Sequence, residues 1–436
     1  MSEVPDAHAV WDAARSLGLD PWPVHFESVP ATVLYEFAAY LIPGRMSHWS
    51  YGKAFHAMKM RYDYGLAKLY EMVINANPAY AFLLETNSPL ENVFVMAHVM
   101  GHVDFFKHNH CFKPTPPDMV DQAARHAERI RQYEFEKGLA RVEALLDAAL
   151  AIQDQVEVPA YHPPAVRPKR EPRPAASYDD LSASERPAPT RVPQHGIPDL
   201  MQFLVEKSPE LEDWERDILS MVRGEMRYFW PQIRTKIMNE GWATYWHVRL
   251  MRELSLTNDQ YVDFARLHSS VLQPARLGIN PYLLGSRIFE DIGSHEGPDA
   301  LWLAREVDDD VSFVRNHLTE DLVEDLNLYT WAVQSDRVVV THADWKAVRE
   351  KLVADLVHGG IPVIEVDDGD YNRRQELYLI HRHEGHAAHD LDLPYARQTL
   401  RHVWRLWGRP VHLETRRGGR RMVLTFDGDR DHEAVL

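Results

Sequence analysis

His98 and His102 stand four residues apart in the segment "SPLENVFVMAHVMGHVDFFKHN". On an α-helix that spacing puts both imidazoles on one face, where they can share a tetrahedral metal ion. The helix start is well signalled, because Ser88 followed by Glu91 is a capping box and Pro89 suits the first turn. Phe94 and Phe105 fall on the same face and predict a half-buried, apolar wall, which restricts water and favours a charged ligand. Gly101, directly before His102, weakens the helix and leaves room for another backbone or a ligand. The competing reading is a pair of core histidines bonded to carbonyls. A metal needs a third ligand, and Glu240 in "KIMNEGWATYWH" offers one. Thr244 and His247 share its helix face, among Trp and Tyr, where an unpaired carboxylate is costly to bury. A salt bridge to an arginine is the alternative for Glu240. His268 in "HSSVLQP" is a candidate fourth ligand or donor to a developing oxyanion, and His247 a candidate group behind the ligands. The expected ion is divalent, with zinc the best match to this ligand set.

Other motifs carry less. Cys111 beside Phe112 reads as a buried thiol. The run "HRHEGHAAHD" is dense in histidine, but its His383-Glu384-Gly385-His386 spacing is not HExxH, and it reads as a surface loop. No P-loop, no GxGxxG followed by a ribose-binding acid and no G-x-S-x-G elbow occurs, which sets aside nucleotide-driven and serine-hydrolase chemistry.

The elements that must position these residues are mainly helical. Apolar residues recur at helical spacing over Val33–Tyr40, Tyr51–Met72 and Pro89–His108, and a long amphipathic helix is expected from about Pro117 to Gln153. The stretch "YAFLLE" before the His helix reads as a strand. Helical pattern resumes from Leu211 to Arg252, with Pro231 expected in the first turn of a second helix, and continues at Asn258–His268, Pro281–Ile292 and Pro298–Val307. Near the C-terminus "DRVVVTHA", "IPVIEVDDGD", "ELYLIHRHE", "PVHLETRR" and "RRMVLTFDG" read as strands, with "RRGGRR" as a hairpin turn. The expected fold is therefore mainly α, a multi-helix body with a small C-terminal α/β domain. Its segments are residues 1–157 and 196–335 as two halves of the body, 158–195 as a Pro-rich linker or insertion, and 336–436 as the α/β domain.

Bulk composition narrows the function. With 436 residues the chain exceeds one small core. A net charge of −17 argues against non-specific nucleic-acid binding. The basic run Arg416, Arg417, Arg420 and Arg421 reads as a solvated hairpin. One cysteine suits a reducing compartment, and neither a signal peptide nor a membrane span is evident, so a cytoplasmic protein is expected.

Several blocks carry a resemblance. "HWSYGKAFHAMKMRYDYGLAKLYEMVINANP", "VMAHVMGHVDFFKHN", "LEDWERDILSMVR", "KIMNEGWATYWH", "HSSVLQP" with "GINPYLLG", "RRQELYLIHRHEG" and "TLRHVWRLWGRPVHLET" closely resemble the SpoVR family (stage V sporulation protein R), over nearly the whole chain from Asp20. The resemblance implies a role in sporulation or stress response. The family's genes often accompany a serine protein kinase, which implies a protein partner of that kind and a regulatory or scaffold role. A second, local similarity is to zinc peptidases of the gluzincin type. There two His on one helix and a Glu on a later helix hold zinc, and that later helix can read as Glu240-Gly241-Trp242-Ala243 does here. This similarity implies a zincin-like site and a metal-dependent hydrolase of amide or peptide bonds, acting on a peptide or cell-wall-related substrate. The chain departs at the base of the HExxH motif, where Val99 stands, and Asp104 lies on another face of the helix.

Overall fold

The computed structural model describes residues 5–64, 71–156, 197, 199–275, 278–334, 337–342, 344–382 and 390–436. The Pro-rich stretch 158–195 and the His383–His386 spacing lie outside the described residues. In chain order the elements begin α1 (Ala7–Ser16), β1 (Val24–Val29), α2 (Ala31–Tyr40), α3 (Trp49–Asp63), β2 (Glu71–Ile74), β3 (Ala79–Leu84) and α4 (Pro89–His108). Next come α5 (Met119–Lys137), α6 (Leu139–Leu150), α7 (Leu200–Lys207), α8 (Asp213–Arg234), α9 (Lys236–Glu253), α10 (Asn258–Val271) and α11 (Pro281–His295). They continue with α12 (Pro298–Val307), α13 (Asp310–His317), α14 (Glu320–Asp325), β4 (Thr330–Gln334), β5 (Arg337–His342) and α15 (Trp345–Leu356). The chain closes with β6 (Ile364–Tyr371), β7 (Glu376–His381), α16 (Leu393–Trp407), β8 (Val411–Arg417), β9 (Arg420–Phe426) and β10 (Asp431–Val435). The protein is mainly helical with a small C-terminal sheet. No helix among the described residues is long and apolar enough to cross a membrane.

Contacts divide the chain into two compact units, residues 1–129 with 228–359 and residues 130–227 with 360–436. The first is built on α4. Its residues from Val93 to Phe106 are all buried, the pattern of a helix covered all round. The capping box forms, with Ser88 Oγ accepting from Glu91 N and Glu91 accepting from Ser88 N at 2.6 Å. Helix α9 crosses α4 closely because Gly101 has no side chain: a Cβ there would lie 2.6 Å from Ala243 Cα. Helix α11 approaches α9 in the same way, where a Cβ on Gly241 would lie 2.4 Å from the Gly285 backbone. The start of α9 is held by Asp310, which accepts from Ile237 N at 2.8 Å and Met238 N at 2.9 Å. Burial pushes the Asp310 carboxyl up to about 8, against the pull of those backbone N–H groups. A three-stranded sheet in the order β1-β3-β2 packs beside α4, with β1 parallel and β2 antiparallel to β3.

The second unit has a five-stranded sheet, order β10-β9-β8-β7-β6, in which β7 and β8 are parallel and α16 connects them. Helix α16 packs on β8, β9 and α6. The β8–β9 hairpin turns through Gly418 and Gly419, both at positive φ, and Arg416, Arg417, Arg420 and Arg421 are exposed on it as the sequence indicates.

Three local expectations are corrected. Helix does not run from Tyr51 to Met72: α3 ends at Asp63 and Glu71–Ile74 is strand β2. The Asn75 to Asn77-Pro78 turn sends the chain back as β3, so β2 and β3 form an antiparallel pair. The single helix from Pro117 to Gln153 is two, broken at Gly138, whose φ of 91° ends helical geometry. Pro231 sits inside the last turn of α8 instead of starting the next helix. The break follows at Thr235, whose hydroxyl donates to the Pro231 carbonyl at 2.7 Å.

Candidate metal centre

Helix α4 presents His98 and His102 one turn apart, 4 % and 5 % exposed, with ring centroids 4.5 Å apart. The Gly101–Ala243 approach brings the first turns of α9 onto this face, and Glu240 meets both rings. Its Oε2 lies 3.5 Å from His98 Nε2 and 3.5 Å from His102 Nε2. That is too long for a hydrogen bond, and Oε2 is buried with no hydrogen-bond partner. Ligand atoms at that separation fit a common ion: two ligands about 2.1 Å from a metal and 3.5 Å apart subtend roughly 110°, the tetrahedral angle. These three residues form a group able to hold a metal ion.

The outward nitrogens are already engaged. His102 Nδ1 lies 2.9 Å from Asn239 Oδ1, which can only accept, so Nδ1 carries the proton and Nε2 presents a lone pair. His98 Nδ1 lies 3.0 Å from His247 Nδ1, and His247 Nε2 lies 2.9 Å from His268 Nδ1. With His98 Nε2 turned inward as a lone pair, each imidazole in this row donates to the next, and all three can be neutral. Burial lowers proton affinity at His102, with the neighbouring His98 imidazole adding to it. Burial also holds His247 well below the usual range, helped by His98 and His268. Burial alone raises the Glu240 carboxyl, but His98, His102 and the Tyr282 hydroxyl outweigh it and keep it below its ordinary value. Neutral imidazoles and an ionised carboxylate are the ligand forms of these groups.

The family follows from comparison with known proteins. A model described as "SpoVR like protein" matches residues 5–361, and one described as "SpoVR-like C-terminal domain" matches residues 362–418. This chain belongs to the SpoVR family. It is also 28% identical to "Uncharacterized protein YcgB" of Escherichia coli (strain K12), over 92% of this chain and 89% of that one. No solved structure matches.

In this SpoVR chain His98, His102 and Glu240 come together, whereas His268, the candidate fourth ligand, does not join them. His247 lies directly behind His98, and His268 one imidazole further out, bonded to His247. Val99 is fully buried in the apolar core. Asp104 serves elsewhere, accepting from Asp20 N, Trp242 Nε1 and Arg305 at 2.8 to 3.0 Å. Phe94 packs on His247 at 4.6 Å, while the ring stacked on His102 is Phe106 and not Phe105. Burial pushes the Cys111 thiol up to about 12, which leaves it inert. Three residues at the site escape a reading of spacing alone. Asn239 precedes Glu240 and orients His102. Tyr282, in the first turn of α11, stacks on His98 at 5.9 Å and brings its hydroxyl up to Glu240. Glu71, on β2, is near enough for its charge to act on His102 and Tyr282. Its one available signal was the Asn77-Pro78 turn, which marks a hairpin where helix periodicity reads through.

Proposed function

We propose that this SpoVR protein holds one divalent metal ion, zinc by its ligand set, through His98, His102 and Glu240, and hydrolyses an amide or peptide bond there. The observation that carries the reading is Glu240 Oε2, a buried carboxylate oxygen without a hydrogen bond, placed 3.5 Å from two imidazole nitrogens. Two nitrogens and one oxygen from protein leave a tetrahedral ion one position for water or substrate. Such an ion polarises a carbonyl and acidifies a bound water. Asn239 and His247 fix the ring planes and tautomers of the two histidines. Tyr282 orients the Glu240 carboxylate and closes one side of the site.

Elemental mass spectrometry on the full chain, beside the His98→Ala/His102→Ala double variant, tests this. About one metal ion per chain, lost in the double variant, is expected for a site of three protein ligands. Wild type that stays metal-free after incubation with zinc refutes it.

A second reading, a regulatory or scaffold protein working with a serine protein kinase, is favoured by Val99 at the place of the usual base. Melting of Glu240→Gln separates the two. A metal ligand predicts a loss no larger than the stabilisation by bound ion; a structural residue predicts the same loss in metal-free protein.

A further inference from the structure

The edge strand beside α4 brings a second carboxylate to the cluster. On β2 successive side chains alternate between the two faces of the sheet. Val73 packs into the apolar core that α4 dominates, whereas Met72 and Ile74 pack into the separate cluster around Leu34 and Phe82. Glu71 shares the face of Val73 and therefore points toward α4. Its backbone pairs with Leu83 on β3, the strand that leads into α4, and β2 packs on α4 itself. Its charge acts on His102 and on Tyr282. It stands outside the three atoms that surround the ion position.

We infer that Glu71 is the proton acceptor of the site, in the role that an HExxH glutamate plays from the helix and that Val99 cannot fill. This rests on the metal reading above. The attacking water loses a proton to the Glu71 carboxylate, and its electron pair forms the bond to the carbonyl carbon. When the C–N bond breaks, the proton passes from Glu71 to the leaving amine, so that water and amide become acid and amine.

The test uses acetohydroxamate, a metal chelator that gives up a proton on binding as the anion. Full-length wild type and Glu71→Gln are loaded with zinc, and metal content is measured first. Absence of metal from wild type overturns the metal reading itself. With both proteins loaded, hydroxamate binding is titrated calorimetrically at pH 8 in two buffers of different ionisation enthalpy. Glu71 as acceptor predicts roughly no proton released to buffer by wild type, and either about one released by Glu71→Gln or binding weakened about tenfold or more. Equal proton release and equal affinity in the two loaded proteins overturn the inference, as does a loaded wild type that binds no hydroxamate. Glu71→Asp, which keeps the carboxylate, is expected to restore the wild-type proton count in part.

Discussion

An imidazole binds metal only when neutral, and burial keeps His102 and His247 neutral at lower pH than a free histidine. Both bind protons less readily folded than unfolded, where the ordinary value is about 6.5. Their contribution to stability is full above that value and is lost as pH falls toward the lower folded values. Metal-free protein is therefore expected to melt progressively lower as pH falls below about 7, and His247→Asn to flatten that slope. A variant with the wild-type slope rejects the assignment for His247. Glu71 carries the opposite sign. Its carboxyl is raised to about 7, so the stability linked to it is present below the ordinary Glu value near 4.5 and lost as pH rises through 7. At pH 8 metal-free Glu71→Gln should be more stable than wild type by up to about 3 kcal/mol, less whatever water screens at this partly exposed residue, with the gap closing near pH 4. Denaturant melts at the two pH values measure it, and an equal gap at both refutes it. At this scale the sequence exposes residues whose partners are set by helical phase: His98, His102 and Glu240. It hides Glu71, because a lone acid between two apolar runs has no phase until the strand is known.

Between elements, the site exists because three helices approach closer than side chains normally allow. A Cβ on Gly285 would lie 2.1 Å from Ile237 O, and one on Gly101 2.6 Å from Ala243 Cα, both backbone atoms that cannot swing away. Gly285→Ala is therefore expected to cost about 3 kcal/mol or more, as overpacking does when only backbone can yield. Gly101→Ala, which pries α9 from α4, should in addition lower metal affinity, since it moves Glu240 relative to both histidines. Denaturant melts and zinc competition with a chromophoric chelator check the pair, and Gly101→Ala with wild-type affinity would show that this approach does not set the ligand geometry. Helix α4 was legible because its capping box, its Pro89 and its apolar run agree. Strand β2 was not, because Glu71–Ile74 is too short for its alternation to outweigh the helical pattern running into it.

Across the whole molecule, contacts and not chain order define the folding units. The unit that holds the candidate metal centre ends at Gly359 and includes β5 and α15. Val348 of α15 is 1 % exposed in the same core as α4, and α15 packs on α13, whose first residue, Asp310, caps α9. A chain cut after residue 335 loses that support, whereas one cut after Gly359 keeps every segment of the unit. The shorter cut should fail to bind zinc, and the cut at Gly359 should retain about one ion, as three intact protein ligands require. The same cut removes α16 from α6 and β6 from α7, leaving the apolar faces of Leu145, Leu146, Phe203 and Leu204 uncovered within residues 130–227. Calorimetry of the truncated chain should therefore show the metal-dependent transition alone, with the contribution of the second unit gone. Equal zinc binding by both truncations, or loss of zinc from the one ending at Gly359, would mean that α15 does not support the centre in the way its packing indicates.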